Sequence, residues 1–271
     1  MRSIAVMNQK GGVGKTTTAV NLSAALAELG QRVCLIDLDP QAHATLHLGV
    51  EPLPDQPSVY DILMGKSMPA DVRRQVRDNL WLIGSSLDLA AAEVELVSVI
   101  GREVILRDKL RADSADFDFL LVDCPPSLGL LTLNALAAVE EVFIPLQPHF
   151  LALHGLSKLL ETIELVAERL NSRLRLSGVM LCMYDANTRL AAEVNDDVDA
   201  FFQSARQRHT PWARAAVFQS RIRRNIRLAE APSFGQSIFQ YAPSSHGAED
   251  YRQLAEEVLH TADSGDAPSV P

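Results

Sequence analysis

Two lysines lie five positions apart in a glycine-rich stretch near the N-terminus, Lys10 and Lys15 in the segment QKGGVGKTT. The segment follows a short apolar run and precedes a helical pattern. In that context successive backbone N–H groups and a helix N-terminus bind phosphate. Lys15 is then expected to reach the β- and γ-phosphates of a nucleotide, and the Thr16 hydroxyl is expected to ligate Mg²⁺. The loop therefore predicts a nucleoside triphosphate site.

The loop departs from the standard pattern G-x-x-x-x-G-K-[ST] at one position, because Gln9 stands where that pattern requires glycine. What remains is the run KGGVGKT, in which Lys10 adds a second cation at the edge of the loop. A solvated side chain is the simplest interpretation of Lys10. The alternative is that Lys10 contacts nucleotide phosphates that already have Lys15.

Three carboxylates follow apolar runs that are typical of buried strands. Asp37 and Asp39 belong to LIDLDPQ, and Asp123 ends the run FLLVD. The carboxyl ends of parallel strands are where an open α/β sheet binds its ligands. Asp123 has the Walker B arrangement of an acid that holds Mg²⁺ through water. Bracing of a loop or capping of a helix remains the alternative role for Asp37.

Apolar runs and helical patterns alternate along the chain, which predicts an α/β fold: a doubly wound, mostly parallel sheet flanked by helices. The proline-rich stretch 51–78 is expected to be irregular, with one short helix. We predict strands at 4–7, 33–38, 80–83, 119–123, 142–145 and 176–183, and helices at 15–29, 91–111, 128–139, 153–170, 189–202 and 248–262.

The chain has 271 residues, 47% of them hydrophobic, which is enough for one full core. We expect a single nucleotide-binding domain over 1–263 and a flexible tail over 264–271. No apolar run is long enough to span a membrane, and a strand pattern begins too early for a signal peptide, so we expect a cytoplasmic protein. The three cysteines, Cys34, Cys124 and Cys182, lie in apolar runs, as buried thiols do, and their spacing does not favour a disulfide framework or a cysteine metal site.

The net charge is −9, yet the segment 204–228 contains no Asp or Glu. A basic segment in an acidic protein indicates either a surface that binds phosphate groups or arginines paired with acids elsewhere. Seven arginines share this segment: Arg206, Arg208, Arg214, Arg221, Arg223, Arg224 and Arg227.

The run from Lys10 to Thr17, KGGVGKTT, resembles the deviant Walker A motif of the ParA/MinD ATPase family, a branch of the P-loop NTPases. The segment DCPPSLGLLTLNAL resembles the second switch of that family. The resemblance implies a dimer with ATP and Mg²⁺ between two subunits, in which Lys10 touches the phosphates of the partner. It also implies that Asp39 positions the attacking water and that Asp37, Asp39 and Asp123 support Mg²⁺ through water. The nucleotide-binding residues implied in the loop are Lys10, Gly11, Gly12, Val13, Gly14, Lys15, Thr16 and Thr17.

Two later segments, MYDANTRLAAEV and RRNIRLAEAPSFGQSI, resemble family segments that close over the base and line the dimer and DNA surfaces. Asn225 corresponds to the adenine-recognising asparagine, and Arg223 stands where the family usually has proline. The usual Arg-Thr-Asn after MYDA appears here as Asn-Thr-Arg at 187–189, which leaves open whether Arg189 takes the role of that arginine. The residues implied to bind DNA without sequence specificity are Arg206, Arg208, Arg221, Arg224 and Arg227.

The resemblance implies a partition ATPase, weak alone, whose ATP dimer binds nucleoid DNA and is released when a ParB-like partner stimulates hydrolysis. The alternative is a membrane-cycling ATPase like MinD, which requires a basic amphipathic C-terminal helix. The last predicted helix is acidic instead. A third class, the iron–sulfur ATPases related to the nitrogenase iron protein, requires exposed cysteines at the dimer seam.

Overall fold

Eight strands form one sheet in the computed structural model, which describes residues 1–149, 152–207 and 209–263. Their order is β3-β4-β2-β5-β1-β6-β7-β8, and all neighbours are parallel except β3, which pairs antiparallel with β4 at one edge. This confirms the doubly wound α/β fold. The strands are β1 (Arg2–Val6), β2 (Val33–Asp37), β3 (Arg74–Arg77), β4 (Leu80–Ile83), β5 (Phe119–Asp123), β6 (Glu141–Leu146), β7 (Arg175–Tyr184) and β8 (Ala216–Arg223).

Helices cover both faces of the sheet, and each face has its own apolar cluster. One cluster packs α1 and α12 against the sheet. The other packs α3 and the helices from α5 through α9 against its opposite face. The helices are α1 (Lys15–Glu28), α2 (His43–His47), α3 (Val59–Leu63), α4 (Pro69–Val72), α5 (Leu89–Glu95), α6 (Ile105–Arg111), α7 (Leu130–Ala138), α8 (Ala152–Arg169), α9 (Arg189–Ala205), α10 (Ile226–Glu230), α11 (Ile238–Tyr241) and α12 (His246–Asp263).

The centre of the sheet brings the predicted chemistry together. Every residue of β2 and β5 is buried, as expected for strands covered on both faces. Asp37 and Asp123 are register partners at the ends of these strands, and Val6 of β1 is the partner of Asp123 on its other side. Three adjacent parallel strands thus end at the phosphate loop and the two carboxylates.

Three predictions about elements are wrong. The helix predicted at 91–111 is interrupted, because α5 passes into 3₁₀ turns and Gly101 adopts a φ of 74°, a left-handed conformation that breaks a helix. The stretch 51–78 contains two short helices and β3 rather than one helix. Strand β8 is absent from the predicted strands, because its arginines and polar residues interrupt the apolar pattern that is typical of a buried strand.

The predicted tail 264–271 lies outside the described residues, as do Phe150, Leu151 and Arg208. Among the residues that are described, no helix combines the length and the apolar character needed to cross a membrane.

Candidate functional site

The phosphate loop connects β1 to α1 and faces a cleft of about 910 Å³. Gly12 and Gly14 have φ values of 73° and 94°, which residues with a side chain rarely adopt. Helix α1 begins at Lys15, so its unpaired N–H groups point into the loop. The cleft is lined by this loop, by Asp39 and by Asn225, so the predicted phosphate-binding and base-binding residues share one cavity.

Asn8 braces the phosphate loop, a role that the sequence did not indicate. Its Nδ2 donates to the Pro145 carbonyl over 2.7 Å, and its Oδ1 accepts a hydrogen bond from the Lys10 backbone N–H over 3.0 Å. Asn8 is buried, so both bonds are sheltered from water. The loop is therefore tied to the end of β6 in addition to its own strand and helix.

The two lysines of the loop occupy different environments. Lys15 is buried, and its Nζ donates to the Lys10 carbonyl over 3.2 Å. Burial lowers the pKa of the Lys15 ammonium, while the nearby Asp123 and Asp39 oppose that shift. The side chain of Lys10 is exposed on the rim of the cleft. Lys15 thus faces the inside of the site, whereas Lys10 faces outward.

Asp37 mainly holds the loop that follows β2. Its Oδ2 accepts hydrogen bonds from the Thr45 backbone N–H (2.8 Å) and hydroxyl (2.7 Å), and its Oδ1 accepts one from the Asp39 N–H (3.2 Å). Burial raises the pKa of Asp37, and these donors counteract the shift. The contacts favour the bracing role that the sequence left open.

Asp39 lies at the cleft with its backbone fixed on both sides. Its Oδ1 accepts a hydrogen bond from the Gln41 N–H over 2.9 Å, and its carbonyl accepts one from the Ser85 hydroxyl over 2.7 Å. Its second carboxylate oxygen has no hydrogen bond to any described residue. The side chain is therefore oriented by one oxygen, and the other can act on a ligand.

Asp123 is fully buried, and neither of its carboxylate oxygens has a hydrogen-bond partner among the described residues. Burial and the neighbouring Asp37 raise its pKa well above the usual value, although Thr16 and Lys15 are near enough to favour the charged form. Orphaned carboxylate oxygens beside a hydroxyl are what a hard cation such as Mg²⁺ requires. Thr16, Asp123 and the two other acids thus fit a magnesium ion that keeps water and phosphate ligands.

The predicted base-binding residues lie on the far side of the cleft. Asn225 caps α10, where its side chain accepts a hydrogen bond from the Arg227 N–H over 2.9 Å. The guanidinium of Arg223 is held by Asp250 and Glu249 of α12, with its Nε 2.8 Å from Asp250 Oδ1. Arg223 therefore offers the cleft mainly its backbone, and it anchors the turn where proline was expected.

The predicted DNA-binding arginines divide into two groups. Strand β8 is the last strand of the sheet and runs parallel to β7, from the end of the sheet opposite the cleft to the end at the cleft, a distance of about 25 Å at ~3.3 Å per residue. Arg206 precedes β8 and lies at the edge opposite the cleft. Arg221, Arg224 and Arg227 lie at the cleft edge, and Arg208 is outside the described residues.

The cysteines do not form an iron–sulfur site in the described part of the chain. All three are buried, and burial raises the pKa of the Cys34 and Cys182 thiols to about 12. Thiolates are the ligands of such clusters. No cluster of His, Cys, Asp or Glu that could by itself hold a metal occurs among the described residues.

Sequence comparisons place this arrangement among known proteins. A family model described as an AAA domain matches residues 1–176. The chain is 48% identical over 256 residues to the sporulation initiation inhibitor protein Soj of Bacillus subtilis, covering 94% of this chain and 97% of that one. It is also 48% identical over 259 residues to the chromosome-partitioning ATPase Soj of Thermus thermophilus, covering 96% of each.

A solved structure has the same fold. The cobyrinic acid a,c-diamide synthase of Mycobacterium smegmatis, crystallised with an ATP analogue and magnesium, is similar with a TM-score of 0.81 and 36% identity. The match covers 98% of this chain and 97% of that one. The name of that protein describes a different function from the names of the two Soj proteins, and sequence identity is higher to the Soj proteins.

Proposed function

This chain belongs to the ParA/Soj family of chromosome-partitioning ATPases, and on that premise we propose that it works as an ATP-dependent dimer on DNA. It is an ATPase that uses ATP and Mg²⁺. The dimer binds nucleoid DNA without sequence specificity, and a ParB-like partner stimulates hydrolysis and so releases it. The observation that carries the proposal is the second lysine of the phosphate loop, exposed on the rim while Lys15 occupies the interior.

The chemistry of the site follows from the positions of its own residues. The backbone N–H groups of the loop and Lys15 hold the phosphates, and Thr16 and Asp123 hold the magnesium ion. Mg²⁺ held by these residues would neutralise negative charge on the phosphates. Asp39, held by one carboxylate oxygen, orients a water molecule toward the γ-phosphate with the other. Asp37 keeps the Asp39 backbone in place.

The exposed position of Lys10 supports a dimer between two nucleotides. Two triphosphates that face each other repel strongly, and a cation from each subunit placed on the nucleotide of its neighbour reduces that repulsion. The backbone of Lys10 is fixed by Asn8 and by Lys15 Nζ, so that only its side chain is free to reach outward.

Lys10→Ala is expected to prevent the ATP dimer while leaving nucleotide binding by the monomer intact. Truncation of one member of a close charge pair costs about 2–5 kcal/mol, and the two-fold dimer loses two such pairs, so the dimer dissociation constant is expected to rise at least ~10²-fold. Light scattering with a non-hydrolysable ATP analogue and Mg²⁺ measures the mass. Lys158→Ala, an exposed lysine on α8, is the matched control. A Lys10→Ala protein that still doubles its mass contradicts the proposed role.

Arg224 is the residue that best supports DNA binding. Its side chain is exposed and makes no hydrogen bond or ion pair with any described residue. By contrast, Arg227 pairs with Glu230 over 2.8 Å, and Arg221 donates to Asn195 over 2.7 Å and lies over Tyr184. A free guanidinium at the cleft edge is available to a DNA phosphate without first breaking an internal contact.

Arg224→Ala is expected to weaken DNA binding in the ATP state and to reduce its salt dependence. Each phosphate contact adds nearly one to the slope of log affinity against log salt, so two copies in a dimer predict a decrease of about 2. Filter binding at several salt concentrations measures both quantities. Arg214→Ala, exposed at the opposite edge, is the control. Equal affinity of the unaltered protein with ADP and with ATP would remove the DNA proposal.

The packing of α12 does not favour the membrane-cycling alternative. Its apolar residues, among them Tyr251, Leu254 and Val258, are fully buried against α1 and β8. A helix that binds a membrane surface needs an apolar face free to enter the lipid. In the described part of α12 that face belongs to the core.

A further inference from the structure

Helix α5 and the turn after it expose a group of large apolar side chains, which we name the apolar ridge. Ile100 is fully exposed, and Val94 and Leu87 are 75% and 74% exposed. Monomeric proteins expose apolar residues mostly singly, and larger groups mark interaction surfaces. The apolar ridge consists of Leu87, Val94, Val97, Val99 and Ile100.

The ridge is not the ordinary apolar face of a surface helix. That face points inward, where Leu89, Ala92 and Leu96 are buried in the core. The outward positions Leu87, Val94 and Val97 follow helical spacing on the other side. A helix that is apolar on both sides is normally buried on both sides. The outer side of α5 therefore lacks a partner within the described chain.

Two contacts place the ridge beside the nucleotide site. Just before α5, the Ser85 hydroxyl donates to the Asp39 carbonyl and the Ser85 N–H donates to the Thr45 hydroxyl. On α5 itself, Glu93 packs on Gly129, in the turn that follows β5, so closely that a Cβ there would lie 2.0 Å from Glu93 Oε1. Both nucleotide-site loops thus touch the segment that carries the ridge.

The Glu93 contact leaves a polar group unsatisfied. Glu93 Oε1 is buried and has no hydrogen-bond partner among the described residues. An unpaired buried carboxylate oxygen costs free energy of folding. The contact between the ridge segment and the turn after Asp123 is therefore easily rearranged. A shift of that turn on nucleotide binding would be passed to α5.

We propose that the apolar ridge packs against the same ridge of a second copy and forms the nonpolar centre of the ATP dimer. This rests on the dimer of the proposed function. In a two-fold dimer the same patch can meet itself, and the ridge holds five of the exposed large apolar side chains within fourteen consecutive residues. The ridge offers a few hundred Å², a large part of the ~800 Å² that each partner buries in a standard interface.

Charge opposes the association of two copies, so an ATP dimer needs an attraction that does not depend on charge. Each chain carries a net charge of −9, and bound triphosphate adds more negative charge at the seam. Lys10 offsets only part of this repulsion. Burial of apolar surface is attractive whatever the charge, and the ridge is placed to supply it beside the phosphates.

The first test replaces Val94 and Ile100 together with aspartate. Both side chains are exposed, so the fold and the nucleotide affinity of the monomer are expected to be unchanged, as measured with a fluorescent nucleotide. The dimer dissociation constant with a non-hydrolysable analogue and Mg²⁺ is expected to rise at least ~10²-fold, as for loss of two central contacts. Leu165→Asp, on α8 and also partly exposed, is the control and is expected to dimerise normally.

The second test measures which surfaces meet. In an Ile100→Cys protein, a short bifunctional thiol reagent is expected to link two copies with the ATP analogue and not with ADP, while Leu165→Cys stays unlinked. The native cysteines are buried and do not interfere. If the unaltered protein dimerises and the Val94/Ile100 variant dimerises equally well, the ridge inference is wrong and the proposed function stands. If the unaltered protein stays monomeric with the analogue, the proposed dimer fails, and the ridge inference fails with it.

Discussion

Lys15→Ala is expected to lose ATP binding and, with it, all ATP-dependent behaviour. Lys15 is buried in the site, its Nζ donates to the Lys10 carbonyl, and the nearby Asp123 and Asp39 favour its charged form. Removal of one member of a sheltered charge pair costs about 2–5 kcal/mol, so the affinity for ATP is expected to fall by at least ~30-fold. Titration with a fluorescent ATP analogue in the presence of Mg²⁺ measures the loss.

Two control variants show whether the loss of ATP binding is specific to Lys15. Lys10→Ala keeps nucleotide affinity if Lys10 acts only across the seam, and Lys158→Ala, outside the site, changes nothing. Thermal unfolding without nucleotide checks that Lys15→Ala is folded. ATP affinity near that of the unaltered protein would mean that the backbone of the loop binds phosphate without Lys15.

The centre of the fold was predictable because its signals are local. A strand, a glycine loop and a helix follow one another within thirty residues, and the acids stand directly after apolar runs. The rule that parallel strands end at one edge then brings these segments together in space. No long-range information was needed to expect Lys15, Asp39 and Asp123 in one cleft.

The features that the sequence did not indicate depend on distant partners. Asn8 acquires its role from the Pro145 carbonyl, 137 positions away. The same holds for Asp37, whose three donors include both polar groups of Thr45, eight positions along the chain. A carboxylate that braces a loop and one that serves a metal look alike in sequence. Only the hydrogen bonds distinguish them.

The arginine segment shows why a cluster in sequence need not be a patch in space. Because 216–223 form the outermost strand of the sheet, arginines before and after it are separated by the length of that strand. Arg223, which ends it, is bound by two acids of α12 from a different part of the chain. The proposal that these arginines bind DNA together therefore applies only to the arginines at the cleft edge, Arg221, Arg224 and Arg227.

Asp39→Ala is expected to stop hydrolysis while ATP still binds, and thus to trap the dimer. The Asp39 carboxylate is fixed through one oxygen, which leaves the other to orient water. Loss of a positioned acid or base typically costs about 10²–10⁴-fold in rate. Stimulated phosphate release is expected to fall by at least ~10²-fold, and light scattering with ATP and Mg²⁺ is expected to show a lasting doubled mass.

A loss of loop structure would give the same loss of activity, so a second variant is needed. Asp39→Asn keeps an oxygen that accepts the Gln41 N–H and removes only the negative charge. If Asp39 acts on water, Asp39→Asn is trapped as a dimer like Asp39→Ala. If Asp39 only braces the loop, Asp39→Asn hydrolyses ATP at nearly the normal rate. Asp55→Ala, an exposed acid of the proline-rich stretch, is expected to behave as the unaltered protein. An Asp39→Ala protein that stays monomeric with ATP and Mg²⁺ would contradict the assignment, because a subunit that binds but cannot hydrolyse ATP should accumulate as the dimer.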